Sequence, residues 1–166
     1  GKLHGGTYTL NTGMTTLEMM AAMSPVYEED QPIQQLVVPE GFTVEMIAAR
    51  CEEQGICSAT EFENACKSVT KSDFEYLSDV PAGAKVEYKV QGFLFPATYD
   101  IYENTTAESL VTWMLQTFKN YYTQDLQDRA AELGYSAFEV VTRASIVERE
   151  AKVDEERPII AGVINN

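Results

Sequence analysis

Apolar residues recur every three or four positions along most of this chain, which is the spacing of amphipathic helices. This periodicity predicts helices at about residues 16–23, 44–53, 58–69, 106–133 and 137–151. Asp154 is predicted to cap a final helix in which Pro158 lies in the first turn, where proline is tolerated. Short β-branched or alternating runs predict strands at residues 7–10, 33–38 and 93–102. The order of these elements predicts an α+β fold.

A Gly-x-Thr unit occurs twice between a predicted strand and a predicted helix, at Gly13-Met14-Thr15 and at Gly41-Phe42-Thr43. Glycine permits the sharp turn, and threonine can cap the helix that follows. The polar stretch at residues 70–89 is predicted to join two lobes. We therefore expect a strand–helix lobe over residues 1–89 and a largely helical lobe over residues 90–166.

One ionisable residue interrupts the apolar stripe of the helix that a capping box at Ser136–Glu139 begins. Glu148 shares this stripe with Ala144, so its carboxylate is predicted to leave a core-directed face. Burial raises the pKa of a carboxyl group, and a glutamate that keeps its proton near neutral pH can act as a general acid. Alternatively, Glu148 lies at the edge of the stripe and pairs with Arg149, Lys152 or another segment. Spacing alone leaves both interpretations open.

Composition narrows the classes of function. The chain has 166 residues, of which 45% are hydrophobic, so it can bury a substantial core. Its 12 Lys and Arg residues against 26 Asp and Glu residues give a net charge of −14. This charge repels nucleic acid and anionic membrane surfaces, so nucleic acid is not an expected partner. No apolar run approaches the roughly 18 residues of a membrane-spanning helix.

The three cysteines do not have the spacing of a metal site. Cys51, Cys57 and Cys66 form no CxxC motif, and the only histidine, His4, lies near the start of the sequence. Cys51 and Cys66 each lie on an apolar helix stripe and are predicted to be small core residues. A disulfide bond between these two remains an alternative.

Aromatic residues alternate along the predicted strand at 93–102, where Phe93, Phe95 and Tyr99 share one side. This face either packs in the core or forms a platform for the apolar faces of sugar rings.

Four groups of residues occur in an order that resembles the MltG-type (YceG-like) endolytic murein transglycosylases. They are Val38-Pro39-Glu40-Gly41-Phe42-Thr43; Gly92-Phe93-Leu94-Phe95-Pro96 with Thr98-Tyr99; Ala144-Ser145-Ile146-Val147-Glu148-Arg149-Glu150; and Glu156-Arg157 with Ala161-Gly162-Val163-Ile164-Asn165. The resemblance implies a LysM-like lobe at residues 1–89, followed at 90–166 by a largely helical, C-terminally truncated catalytic lobe. The chain departs from the family pattern at Gln91, which is usually Glu, and at Ala97, which is usually Asp.

The resemblance implies a cell-wall enzyme that cleaves peptidoglycan glycan strands on the extracytoplasmic side of the cell membrane and leaves 1,6-anhydro ends. A single-pass membrane anchor, absent from this chain, and partners among the cell-wall synthesis proteins are implied with it. Glu148 matches the family's catalytic glutamate. Residues that match neighbouring motif positions, with roles in substrate positioning or support, are Phe95, Tyr99, Glu150, Arg157 and Asn165.

One carboxyl group is sufficient for this chemistry, because the 6-hydroxyl of the sugar supplies the attacking oxygen. Neither a metal nor an organic cofactor is required. We expect Glu148 to lie at the wall of a groove, within reach of Tyr99 or Phe95 and outside a closed salt bridge.

Two other classes of function remain open. The first is a non-catalytic peptidoglycan-binding module, which the LysM-like half supports. The second is a pyridoxal-phosphate lyase, a label that proteins of this family have carried, but the chain has no Gly-rich phosphate loop. Because the chain stops at Asn166, before further family motifs, we expect it to fold without cleaving peptidoglycan and to self-associate through the exposed face.

Overall fold

The computed structural model describes residues 13, 15, 31–70, 73–81 and 86–165. The chain divides into two compact units, Gly1–Pro32 and Ile33–Asn166, and every described helix and strand belongs to the second. The strand predicted at 7–10, the helix predicted at 16–23 and most of the first Gly-x-Thr unit lie outside the described residues.

Two short antiparallel strands form the sheet of the described region. Strand β1 spans Gln34–Val37 and strand β2 spans Thr98–Ile101, with Gln34 opposite Ile101 and Val37 opposite Thr98. The predicted strand at 33–38 is thereby confirmed, and the one predicted at 93–102 is shorter than expected. Its first half forms turns, in which the backbone N–H of Phe93 donates to the Val90 carbonyl at 2.9 Å.

Two helices follow β1. Helix α1 spans Val44–Glu53, as predicted, and helix α2 spans Ala59–Ser68. Gly41 has φ +79°, and the Thr43 hydroxyl accepts a hydrogen bond from the Met46 N–H at 3.3 Å, so the second Gly-x-Thr unit acts as predicted.

The stretch predicted to be a polar joint contributes to the core. Phe74, Leu77 and Tyr88 are buried, and a 3-10 helix spans Glu75–Asp79. The Tyr76 hydroxyl donates to the Leu115 carbonyl at 2.8 Å. Segments on both sides of position 90 therefore share one core. The assignment of 1–89 as LysM-like and 90–166 as catalytic remains a prediction.

The long helix predicted at 106–133 is two helices, α3 at Ala107–Tyr121 and α4 at Gln124–Glu132. The run Thr105-Thr106-Ala107-Glu108 has the pattern of a capping box and predicts the pair Thr105 and Glu108 at the start of this helix, but the observed pair lies one residue later. Thr106 is the N-cap, and Ser109 returns the second hydrogen bond. Helix α3 supplies the centre of the core with Leu110, Val111, Met114 and Leu115.

The last two helices lie at the surface. Helix α5 spans Ala137–Glu150 and begins with the predicted Ser136–Glu139 capping box, and helix α6 spans Arg157–Asn165 after a 3-10 turn at Asp154–Glu156. Only Ala137 is buried in α5, and no residue is buried in α6. The stripe around Glu148 therefore does not enter the core, which corrects the expectation from its periodicity. Within the six α-helices of the described region, none is long and apolar enough to cross a membrane.

Two contacts place α5 against the core. The Ala137 N–H donates to Asp79 Oδ2 at 3.1 Å, at the end of the 3-10 helix. Gly92, at φ +85°, lies so close to α5 that a Cβ atom there would be 2.7 Å from Val141 Cγ1. Glycine at position 92 thus permits both the turn and the approach of the helix that carries Glu148.

Candidate active site

A cavity of about 470 Å³ lies between α5 and α6. Its wall carries two arginines and one carboxylate among otherwise small or apolar groups. The lining residues are Arg143, Ala144, Val147, Glu148, Arg157, Pro158, Ala161, Ile164 and Asn165.

Glu148 lies near the C-terminal end of α5 in an ion pair with Arg157. The Glu148 Oε2 atom is 3.1 Å from Arg157 Nη2, and the Glu148 side chain is 36% exposed. The same guanidinium approaches Asp154 Oδ1 at 3.5 Å and Glu40 Oε2 at 4.0 Å. Arg157 therefore connects three carboxylates that come from α5, from the 3-10 turn before α6 and from the loop after β1.

The expected neighbourhood of Glu148 is wrong in two respects. Neither Tyr99 nor Phe95 lines the cavity, and Glu148 has a cation as its partner. Tyr99 points into the core, where it is 1% exposed and pairs across the sheet with Leu36. Of the two interpretations of this aromatic strand face, the core is the observed one for Phe93 and Tyr99.

The hydroxyl of Tyr99 supports the turn before β2. It donates to the Phe95 carbonyl at 2.5 Å, and the Tyr99 ring packs edge-on against Trp113. Burial raises the pKa of the Tyr99 hydroxyl to about 12, so the group stays a hydrogen-bond donor at physiological pH. Phe95 stacks on Tyr121 with ring centroids 4.2 Å apart.

Of the residues predicted from the motifs, the cavity brings together Glu148, Arg157 and Asn165. Glu150 ends α5, is exposed and does not line the cavity. The structure thus places three predicted residues at one site and leaves Phe95, Tyr99 and Glu150 outside its wall.

Two residues at this site did not emerge from the sequence. Arg143 lines the cavity, and its guanidinium carbon lies 4.2 Å from the centre of the Tyr135 ring. The Tyr135 hydroxyl also donates to Asn165 Oδ1 at 3.3 Å. Helical spacing contains a signal for Arg143, because positions 143, 144, 147 and 148 share one face of a helix. Tyr135 contacts Arg143 on α5 and Asn165 on α6, and the local sequence carries no signal for contacts of this kind.

The cysteines form a small cluster away from this cavity. Cys51 and Cys66 are buried, Cys57 is half-buried, and all three are free thiols. Burial raises the pKa of Cys51 and of Cys66 to about 12. Within the described residues no group of three or more His, Cys, Asp or Glu side chains is arranged to hold a metal ion.

Comparison with protein families assigns the chain. The model of the YceG-like family matches residues 1–166. The chain belongs to the YceG-like family.

Two curated relatives of this family member carry a functional name. An endolytic murein transglycosylase of Streptococcus pneumoniae strain D39 is 30% identical over 182 residues, which are 99% of this chain and 32% of the relative. An endolytic murein transglycosylase of Bacillus subtilis is 23% identical over 171 residues, which are 97% of this chain and 46% of the relative. This chain thus spans about a third of the pneumococcal relative and under half of the Bacillus one.

The fold has a solved counterpart. The crystal structure of a yceG-like protein from Listeria monocytogenes superposes with a TM-score of 0.60 at 22% identity. The match covers 93% of this chain and 53% of the Listeria protein. The α+β architecture is therefore shared between the two chains.

Proposed function

We propose that the protein containing this chain is an endolytic murein transglycosylase, in which Glu148 serves as the single general acid and base. Family membership and the names of the relatives support the class of enzyme. The observation that carries the assignment of Glu148 is its position on the cavity wall. Among the described residues that line the cavity, Glu148 is the one carboxylate.

A single carboxylate favours a reaction without water. Hydrolytic glycosidases generally use two carboxyl groups, one as the acid and one as the nucleophile or base. In the proposed reaction protonated Glu148 gives its proton to the glycosidic oxygen as the bond from that oxygen to C1 of the muramoyl residue breaks. The 6-hydroxyl oxygen of the same residue then bonds to C1, and its proton passes to the Glu148 carboxylate. The products are a 1,6-anhydro end and a new hydroxyl end, and Glu148 is protonated again.

Arg157 assists the second step of this cycle and must move away before the first. As a cation 3.1 Å from Glu148 it stabilises the carboxylate, which is the form that accepts the proton in the second step. The first step requires a protonated Glu148, so the ion pair must open before it. Asp154 and Glu40 provide alternative partners for the guanidinium at 3.5 and 4.0 Å. We infer that substrate entry moves Arg157 toward them.

The remaining motif residues have separate proposed roles. Asn165 lines the cavity and can hydrogen-bond sugar hydroxyl or acetamido groups. Tyr99 and Phe95 support the turn that packs against α5, and Glu150 ends that helix. We propose that the protein works on the extracytoplasmic side of the cell membrane, with a membrane anchor outside this chain, a LysM-like region at 1–89 that grips the strand, and cell-wall synthesis proteins as partners.

The test is digestion of purified glycan strands by the protein and by its Glu148→Gln variant. Mass spectrometry is expected to find products with 1,6-anhydro ends, which are lighter than hydrolysis products by one water molecule because no water is added. The amide of the substituted side chain cannot donate the proton, so turnover is expected to fall at least about 100-fold while strand binding persists. Hydrated reducing ends, or full turnover by the variant, would refute the mechanism.

A non-catalytic peptidoglycan-binding module is the second candidate, and one observation favours it. Tyr121 is 62% exposed and stacks on half-buried Phe95, and Trp113 on the same helix is 40% exposed. Exposed aromatic rings can pack on the apolar faces of sugars. Binding of strands without any cleavage by the wild-type protein would favour this candidate.

A further inference from the structure

Arg143 is the cation of the cavity that the proposed reaction does not use. It lies on α5 one turn before Val147 and lines the same wall as Glu148. Within the described part of the chain it forms no ion pair, and its Nε atom is shielded from solvent without a hydrogen-bond partner. Arg157, by contrast, has three carboxylates within 4.0 Å.

The acidic residue one turn before Arg143 does not satisfy it. Glu139 Oε2 accepts hydrogen bonds from the Ser136 N–H at 2.9 Å and from the Ser136 hydroxyl at 3.0 Å. These two bonds are the main causes that lower the pKa of Glu139, and the charge of Arg143 is a smaller one. The carboxylate of Glu139 is therefore occupied by the helix cap.

The guanidinium of Arg143 is nevertheless held in place. It stacks 4.2 Å from the centre of the Tyr135 ring, whose hydroxyl donates to Asn165 Oδ1 at 3.3 Å. One tyrosine thus orients two polar groups of the cavity wall. A stacked guanidinium loses little conformational freedom when it binds a planar anion through its paired N–H groups.

The charge of the wall also points to an anionic ligand. Two arginines and one glutamate give the lining residues a formal charge of +1, although the whole chain carries −14. Glu148 pairs with Arg157, which leaves the positive charge at Arg143. Arg157 is further offset by Asp154 at 3.5 Å and Glu40 at 4.0 Å. Among the described lining residues Arg143 is therefore the cation without a carboxylate partner, and its charge favours a carboxylate over a neutral group.

We infer that Arg143 is a specificity-determining residue that binds a carboxylate of the murein strand beside the bond to be cleaved. The inference rests on the proposed function. Two sources supply this group: the lactyl carboxylate of N-acetylmuramic acid in strands without peptides, and the carboxylates of the stem peptide in strands that carry one.

Calorimetric titration with four murein tetrasaccharides tests the inference, using the Glu148→Gln protein to prevent cleavage. Two have no peptides and carry either free lactyl carboxylates or their primary amides. Two carry stem peptides with either free or amidated carboxylates. We expect about tenfold tighter binding of the charged member in one pair, and that pair identifies the source.

Adding Arg143→Gln is expected to reduce this preference to less than about twofold, with little change for the neutral ligand. Arg143→Lys retains the charge without the planar fork and is expected to keep part of the preference. Arg149→Gln, an exposed arginine on the same helix that does not line the cavity, is the matched control and should retain all of it. Circular dichroism checks that each variant folds. If Arg143→Gln does not fold, the binding preference of Arg143→Lys tests the inference in its place.

Two outcomes would overturn the inference: equal binding of charged and neutral ligands in both pairs, or a preference that survives Arg143→Gln. Failure of the proposed function would be seen in a different experiment. Digestion of glycan strands by the wild-type protein would then yield no 1,6-anhydro ends. In the active protein, Arg143→Gln should raise KM for the charged strand more than it lowers kcat. If Arg143 had a purely structural role, the substitution would change KM and kcat equally for the charged and the neutral strand.

Discussion

The carboxylate of Asp79 accepts a hydrogen bond from the backbone N–H of Ala137 at 3.1 Å. This bond joins the 3-10 helix of the core to the first turn of α5. The N–H groups of a first helical turn have no partner within their own helix, so a carboxylate there satisfies a donor and interacts favourably with the helix dipole.

Asp79→Ala is expected to lower the free energy of unfolding by about 1 kcal/mol, which is typical of a lost helix cap. Hydrogen exchange should locate the effect in the first turn of α5. Glu75→Ala, at an exposed position at the other end of the same 3-10 helix, is the control and should change neither quantity. Equal effects of the two substitutions would show that the bond does not hold the helix.

Gly92→Ala is expected to destabilise the protein more than Gly55→Ala. Both glycines have positive φ, but a Cβ atom has open space at position 55 and would lie 2.7 Å from Val141 Cγ1 at position 92. The backbone strain common to both costs about 1 kcal/mol, and the clash adds about 1–3 kcal/mol. Urea denaturation measures the difference.

The double variant Gly92→Ala with Val141→Ala separates the two causes of this cost. Removing the valine methyl groups should recover most of the stability that Gly92→Ala loses beyond the loss seen in Gly55→Ala. If it recovers none, the contact between the turn and α5 is not the source.

Arg157→Gln is expected to affect activity far more than stability. The side chains of the Arg157 and Glu148 pair are 44% and 36% exposed, and exposed pairs contribute less than about 1 kcal/mol. The loss of the cation removes stabilisation of the Glu148 carboxylate, so kcat should fall by about tenfold or more. Arg129→Gln removes the exposed pair with Glu132 and serves as the control, with activity unchanged. A large loss of stability with normal kcat would contradict the proposed role.

Stability is expected to fall as the pH rises from about 9 toward 12. Burial raises the pKa of the Cys51 and Cys66 thiols to about 12, so the folded protein keeps protons that the unfolded chain, with ordinary thiol pKa values of about 8.5, releases. The contribution is complete below the unfolded pKa and is lost as the pH approaches the folded one. Urea denaturation at several pH values measures the slope, which should be smaller in a Cys51→Ala, Cys66→Ala variant. An identical slope would exclude the thiols as its source.

Local signals in the sequence predicted much of this fold. The Ser136–Glu139 capping box and the Thr43 cap depend on residues within one helical turn, and both are present as predicted. The capping box predicted at Thr105 lies one residue later, because Ser109 serves as the partner where a glutamate was expected. Adjacent candidates of this kind differ too little in local energy for the sequence to separate them.

The site depended on contacts that have no local signal. Periodicity placed Glu148 correctly on a stripe with Ala144, but could not show that α6 would lie against that stripe. The alternative that Glu148 pairs with Arg149, Lys152 or another segment is confirmed in its last form, because the partner is Arg157, nine positions away on another helix, and spacing alone could not choose among these candidates. Alternation placed Phe93 and Tyr99 on one face of a strand, and only the packing of β2 against β1 and α3 decided that this face enters the core.

The absence of buried residues in helix α6 has a consequence for how the protein would respond to its medium. The charged contacts of Arg157, which come from three separate segments, are largely exposed, and concentrated salt weakens them, because the Debye length of about 3 Å at 1 M is as short as the contacts themselves. Ionic strength would therefore change the shape of the cavity as well as the attraction of an anionic ligand. Rates measured in dilute buffer and in concentrated salt would describe two differently shaped sites, and a simple screening law would not connect them.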